Sequence, residues 1–161
     1  MGNNSFNIKV KNEKNKISEI TIKEKNKIEI LIDKISSIDG RINRNYILLY
    51  KGDQLLDENK RVSSYNITPS DILTYKSSRE GEFSVFFTKN NLQIEKLVTA
   101  QDKIDDILSS IRYYFATNNT SRYYYLRLIY DNIELDRIKT LGDYNITENA
   151  RIIVEDGFLQ G

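Results

Sequence analysis

The sequence has no cysteine, no histidine and no tryptophan, and it has one proline, Pro69, and seven glycines among its 161 residues. Without cysteine there are no disulfides, thiol nucleophiles or thiolate metal ligands. Without histidine there are no imidazole metal sites and no histidine general bases. An oxidising compartment is therefore not required. No apolar run approaches the roughly 18 residues of a membrane-spanning helix. The N-terminal MGNNSFNIKV lacks the apolar stretch of a secretion signal. A cytoplasmic protein with no membrane partner is expected, and the Asn-x-Ser/Thr triplets at Asn66, Asn118, Asn119 and Asn145 then carry no sugar. Charge of one sign is also lacking. The formal net charge is +1, so no general attraction to nucleic acid follows. No glycine-rich phosphate loop, metal-ligand spacing or nucleophile–base pair occurs. The expectation is a protein that is not an enzyme and needs neither cofactor nor metal.

What remains is an ordinary globular composition, 29% charged and 39% apolar. The halves differ mildly. Residues 1–76 hold 14 Lys and Arg against 10 Asp and Glu, and residues 77–161 hold 10 against 13. Solvated faces of opposite bias account for this. The halves also repeat. Residues 47–76 and 126–161 each begin with a short apolar run ending in Tyr50 or Tyr130, continue through a polar turn to Leu55 or Leu56 and to Leu135, and finish in an apolar alternation. Both contain Tyr-Asn-Ile-Thr, starting at Tyr65 and at Tyr144, 79 residues apart. Two small domains of about 75 residues each are expected, thin but sufficient for independent cores.

In the first copy, Phe6, Ile8 and Val10 alternate with polar residues, as do Ile20 and Ile22 beyond a polar turn, which predicts a hairpin. Ile28, Leu31, Ile32 and Ile35 then fall on one helix face, with Asn26 as N-cap and Asp39-Gly40 as the stop. Strands are expected over 46–50 and 71–75, with Pro69 in the loop between them. In the second copy the hairpin is read from Phe83, Val85 and Phe87 and from residues 92–98. The helix carries Ile104, Ile107, Leu108, Ile111 and Phe115 with Asp102 as its cap. Strands follow over 125–130 and 150–155. This order is the β-grasp plan, an α+β fold with one helix crossing a mixed sheet. The domain bounds read as 1–76 and 83–155, joined by a linker at 77–82. Residues 156–161 have no strand left to meet and are expected to form a mobile tail.

From Leu128 onward the second copy resembles ubiquitin without a gap. The matching residues are Leu128, Ile129 and Tyr130, then Leu135-Asp136, Thr140-Leu141 and Asp143-Tyr144-Asn145-Ile146. On this register Gly161 falls on the terminal glycine of ubiquitin. Two such domains in one chain look like the interferon-induced two-domain modifier of vertebrates, and like the two-domain modifiers encoded beside conjugation enzymes in bacterial antiviral operons. The resemblance implies a protein modifier that is conjugated through Gly161. Its partners would be an E1-like activating enzyme, an E2-like conjugating enzyme, a deconjugating or processing peptidase and a target protein, with no nucleic acid. Glycine suits the reacting end because it has no Cβ to clash in a narrow channel. Gly157, Phe158, Leu159 and Gln160 would be the tail that the activating enzyme or peptidase reads. Gly157 and Leu159 stand where ubiquitin has arginines, and Gln160 where it has a second glycine, so a dedicated activating enzyme is implied.

Ile129 matches the central isoleucine of the ubiquitin binding patch, and Leu49 is read at that place in the first copy. Glu155 and Glu13 replace apolar members of the patch, and Ile133 and Glu148 replace chain-forming lysines. The clusters Tyr113-Tyr114-Phe115 and Tyr123-Tyr124-Tyr125 either cover the helix–sheet seam or the domain joint, or offer a partner-binding surface through Tyr113, Tyr114 and Tyr123. Asp105-Asp106 at a helix start complements the helix dipole. A tandem adaptor that works by binding alone, and a sulfur carrier with a C-terminal thiocarboxylate, are the other readings of this fold.

Overall fold

The structure is a computed structural model, and it describes residues 4–115 and 124–158. The chain divides into two compact units, Met1–Arg79 and Glu80–Gly161.

In the first unit β1 (Ser5–Lys11) and β2 (Ile17–Lys23) form the predicted hairpin, with Ile8 opposite Ile20. The helix α1 (Ile28–Ile38) buries Ile28, Leu31, Ile32 and Ile35. A 3₁₀ turn, Arg44–Tyr46, leads into β3 (Ile47–Lys51). The two-residue β4 (Gln54–Leu55), a second 3₁₀ turn and β5 (Ile72–Ser77) complete the unit. The sheet order is β2-β1-β5-β3-β4, with β1 and β5 parallel at its centre. The second unit repeats this with β6 (Phe83–Lys89), β7 (Leu92–Val98), α2 (Ile104–Phe115), β8 (Tyr124–Tyr130), β9 (Ile133–Glu134) and β10 (Ala150–Phe158). Its order is β7-β6-β10-β8-β9, with β6 and β10 parallel. These are two tandem β-grasp domains. Each core lies between the helix and one sheet face, and alternate strand residues such as Val85, Phe87, Ile152 and Val154 point into it.

The cap assignment at Asn26 is corrected, and Asp102 makes the same turn contact. The Asn26 side chain does not cap α1 but accepts from the Lys23 N–H, and Asp102 accepts from the Thr99 N–H. Both close the strand-to-helix turn. The helix-start amides, which normally lack partners, are met by backbone instead. Ile28 and Glu29 donate to the Lys60 and Glu58 carbonyls, and Ile104 and Asp105 to those of Lys139 and Arg137. The end of α1 needs no left-handed glycine. Asp39 closes it, its N–H donating to the Ile35 carbonyl at φ −120°.

The repeated tetrapeptide has a physical cause. Tyr65 and Tyr144 accept, through their hydroxyls, from the N–H groups of Asp57 and Asp136 at 2.8 and 2.7 Å. Asn66 and Asn145 take left-handed backbone, φ 50° and 54°, and Ile67 and Ile146 enter the core. Thr68 donates its N–H to Asp71. Asparagine tolerates φ > 0 better than other residues with a Cβ. In this glycine-poor chain Asn15, Asn90, Asn132 and Asn149 serve the same purpose.

Candidate functional site

The expected tail is not free over its first half. β10 continues to Phe158, and Asp156, Gly157 and Phe158 lie opposite Leu126, Tyr125 and Tyr124 of β8. The mobile-tail expectation for 156–158 is therefore corrected. The reason lies upstream, because β8 starts at Tyr124, one residue before its expected start, and supplies the missing partner strand. Gly157 is buried beneath the Tyr125 ring; a Cβ there would lie 2.4, 2.6 and 2.8 Å from three ring carbons. The Tyr124 and Phe158 rings meet edge to face at 5.9 Å. The Asp156 carboxylate accepts from Lys89 Nζ at 2.6 Å and from the Tyr124 hydroxyl at 2.8 Å. Lys89 also donates to the Phe115 carbonyl at the end of α2. The Lys89 ammonium, assisted by the Tyr124 hydroxyl and opposed by slight burial, holds the Asp156 carboxyl below its ordinary pKa. Sequence reasoning missed Lys89, Tyr125 and the strand role of Asp156. Leu159, Gln160, Gly161 and Tyr123 lie outside the described residues.

Ile129 is half-buried on the sheet face away from α2. It stands opposite Ile153, which is 51% exposed, and beside the Arg127–Glu155 ion pair at 2.8 Å. Its expected counterpart Leu49 is corrected. Leu49 is a core residue, 1% exposed. Its carbonyl accepts from the Leu56 N–H just as the Leu128 carbonyl accepts from that of Leu135. Tyr50, opposite Leu55 as Ile129 is opposite Glu134, takes the outer place. Matching the two apolar runs by their final tyrosines slips the register by one residue, which turns every side chain over. Tyr50, Glu13, Asp53, Thr74 and Lys76 line an open depression of about 360 Å³, with Lys76 Nζ 5.5 Å from the Tyr50 ring centre. Glu13 is engaged by Arg41 at 2.9 Å.

Behind this depression lies a buried polar cluster that sequence reasoning also missed. Asp39 receives two guanidinium bonds from Arg41, at 2.9 and 2.8 Å, and one from the Tyr75 hydroxyl at 2.9 Å. Burial alone would raise the Asp39 carboxyl, but the bonds from Arg41 and Tyr75 outweigh it and hold the pKa low. Burial and the Asp39 charge push the Tyr75 phenol up.

Of the other residues singled out, Tyr113 is 89% exposed and Tyr114 lies against Lys96, whose Nζ is 4.6 Å from the ring centre. Asp105 faces Arg137 at 3.5 Å, Ile133 is exposed, and Glu148 accepts from the Ser84 N–H. Among the described residues no group of three or more His, Cys, Asp or Glu is placed to hold a metal, and no helix is long and apolar enough to cross a membrane.

The sequence model of the Ubiquitin family matches residues 8–75, from β1 to β5 of the first unit. No curated protein matches the chain. With the same strand order and the same Tyr-Asn-Ile-Thr turn in the second unit, the chain is a tandem of two β-grasp domains, the first of which matches the ubiquitin family.

Proposed function

We propose that the chain is a protein modifier of the ubiquitin type, joined through Gly161 to an amine of a target protein, with antiviral defence as its setting by analogy with the two-domain modifiers it resembles. The observation that carries this reading is the gapless register from Leu128, which sets Gly161 on the reacting glycine of ubiquitin while β10 occupies the place of the last strand. The chain is then a substrate of catalysis. An E1-like enzyme joins the Gly161 carboxylate to the AMP of ATP and releases pyrophosphate. An enzyme cysteine displaces AMP to form a thioester, and an E2-like enzyme passes the acyl group to a lysine amine, which expels the thiol. Gly157, Phe158, Leu159 and Gln160 are the residues such enzymes, or a processing peptidase, would meet first.

A binding-only tandem adaptor is the second reading. It is favoured by the outward pair Ile129 and Ile153, and by Tyr113 on the exposed end of α2. Expression of the N-terminally tagged chain in its native host, with a version lacking Gly161 as control, separates the two. Heavier tagged species on a denaturing gel that vanish in the control are the expected result. Their absence, with the shortened chain working normally, sinks conjugation.

A further inference from the structure

The paired end of β10 bears on how Gly161 would be reached, an inference that rests on the modifier reading. A strand that runs to Phe158 leaves three residues to Gly161, a span of about 10 Å at full extension. If residues 156–158 also leave the sheet, the span doubles to about 20 Å. The difference decides how deeply the carboxylate can enter a narrow channel while the folded domain stays outside.

Four side-chain observations concern those three residues. Gly157 lets the Tyr125 ring lie on the backbone, where any Cβ would overlap it. Tyr124 covers the edge of Phe158. Asp156 is tied to Tyr124 of β8 and to Lys89 at the end of β6, and Lys89 is tied in turn to the end of α2. β6 pairs with β10 only from Ala150 to Ile153, so beyond that point β8 alone holds the backbone. One-sided pairing is the weak point of a sheet and opens first. The bonds through Lys89 and the two tyrosines lie where the backbone support ends.

We propose that Tyr125, Gly157 and the Lys89–Asp156–Tyr124 cluster are positioning residues that clasp the C-terminal strand against β8, so that Gly161 reaches an activating enzyme only when residues 156–158 peel away. The clasp acts through the strand and touches none of the reacting atoms. Tyr125 serves by its ring, so Tyr125→Phe retains the clasp. Gly157→Val removes it by forcing the ring aside, and Tyr125→Ala removes it by taking the ring away.

The test is backbone relaxation by NMR on the whole chain. In the wild type, residues 156–158 have order parameters near 0.85, like the rest of β10, and Gly157→Val drops them below about 0.6. Tyr125→Ala lowers them as well. Residues 150–154 stay rigid throughout, which shows that the domain is folded. Lys89→Met, which leaves the β10 backbone untouched, lowers the same three values by a smaller step. Order parameters below about 0.6 in the wild type, or unchanged values in both Gly157→Val and Lys89→Met, overturn the clasp. Where the wild type forms conjugates, Tyr125→Ala, which leaves the tail residues that the enzymes meet unchanged, forms them about 2- to 10-fold faster, the population change expected from one aromatic contact. An open strand with no gain in rate overturns the positioning role. If no variant forms conjugates, the modifier reading fails, and the clasp is judged on the order parameters alone.

Discussion

The two domains share a topology and differ at one corner. α2 brings Phe115 and the last strand brings Val154 into one apolar core. At the corresponding places the first domain has Asp39 and Tyr75, buried to 8% and 4% exposure and joined by a hydrogen bond, with Arg41 completing the set. The strands beyond this corner diverge too. β5 stops at Ser77, because a 3₁₀ turn at Arg44–Tyr46 stands where the second domain extends β8 by Tyr124 and Tyr125. The fold, then, does not dictate how its open end is closed. One copy uses polar bonds and a short strand, the other an apolar plug and a long one, and only the long strand carries the C-terminal residues.

The polar closure is the easiest place to break this comparison. Arg41→Met leaves the Asp39 charge buried with the Tyr75 hydroxyl as its remaining side-chain partner. Removing one member of a buried pair costs about 3–5 kcal/mol. The loss should fall on the first domain alone, seen in urea as early disappearance of its amide signals while those of the second persist. Importing the apolar closure by adding Asp39→Phe and Tyr75→Val should recover most of that loss, since well-packed apolar replacements of buried ion pairs are often neutral. If the triple variant is as unstable as Arg41→Met, the two closures are not interchangeable.

Acid sharpens the same contrast. The Asp39 carboxyl is held below its ordinary value of 3.8. Its stabilising share is therefore fully present above about pH 4 and disappears as pH falls through the lower folded-state value. Asp39→Asn should flatten the acid limb of first-domain stability and leave that of the second unchanged. Equal acid limbs in wild type and variant would mean that Asp39 does not titrate differently on folding.

The hairpins, both helices and the central strands are legible in the sequence because alternation and helical spacing report burial directly. Ile28, Leu31, Ile32 and Ile35 fall on the buried face as the spacing requires. What is not legible depends on partners distant in the chain. Leu49 reads one residue out of register because apolar runs of three give no parity signal, and only the Leu56 N–H to Leu49 carbonyl bond fixes it. The cluster of Asp39, Arg41 and Tyr75 leaves no signal in the sequence, since polar side chains are buried only when a fold brings their partners together. Residues 156–158 read as free because the pairing of β10 depends on where β8 begins, about thirty residues upstream. The Tyr125 ring over Gly157 leaves no sequence signature beyond the glycine itself.

The smallest expected effect tests what the two domains hold in common. Asn66 and Asn145 occupy the same left-handed position after the same 3₁₀ turn, at φ 50° and 54°. Alanine there should cost about 1 kcal/mol, because its Cβ meets the backbone without the local bonding that asparagine offers. Glycine should cost less than alanine, since no Cβ remains to strain the turn. The costs should match between the domains, unlike those at the closing corner, because both turns are built from the same residues and the same Tyr hydroxyl to backbone bond. A large inequality would mean that the two copies share sequence at this turn without sharing its energetics. Equal and small losses, read from separate urea midpoints for each domain, would confine the divergence of the two copies to the closing corner and the strand end.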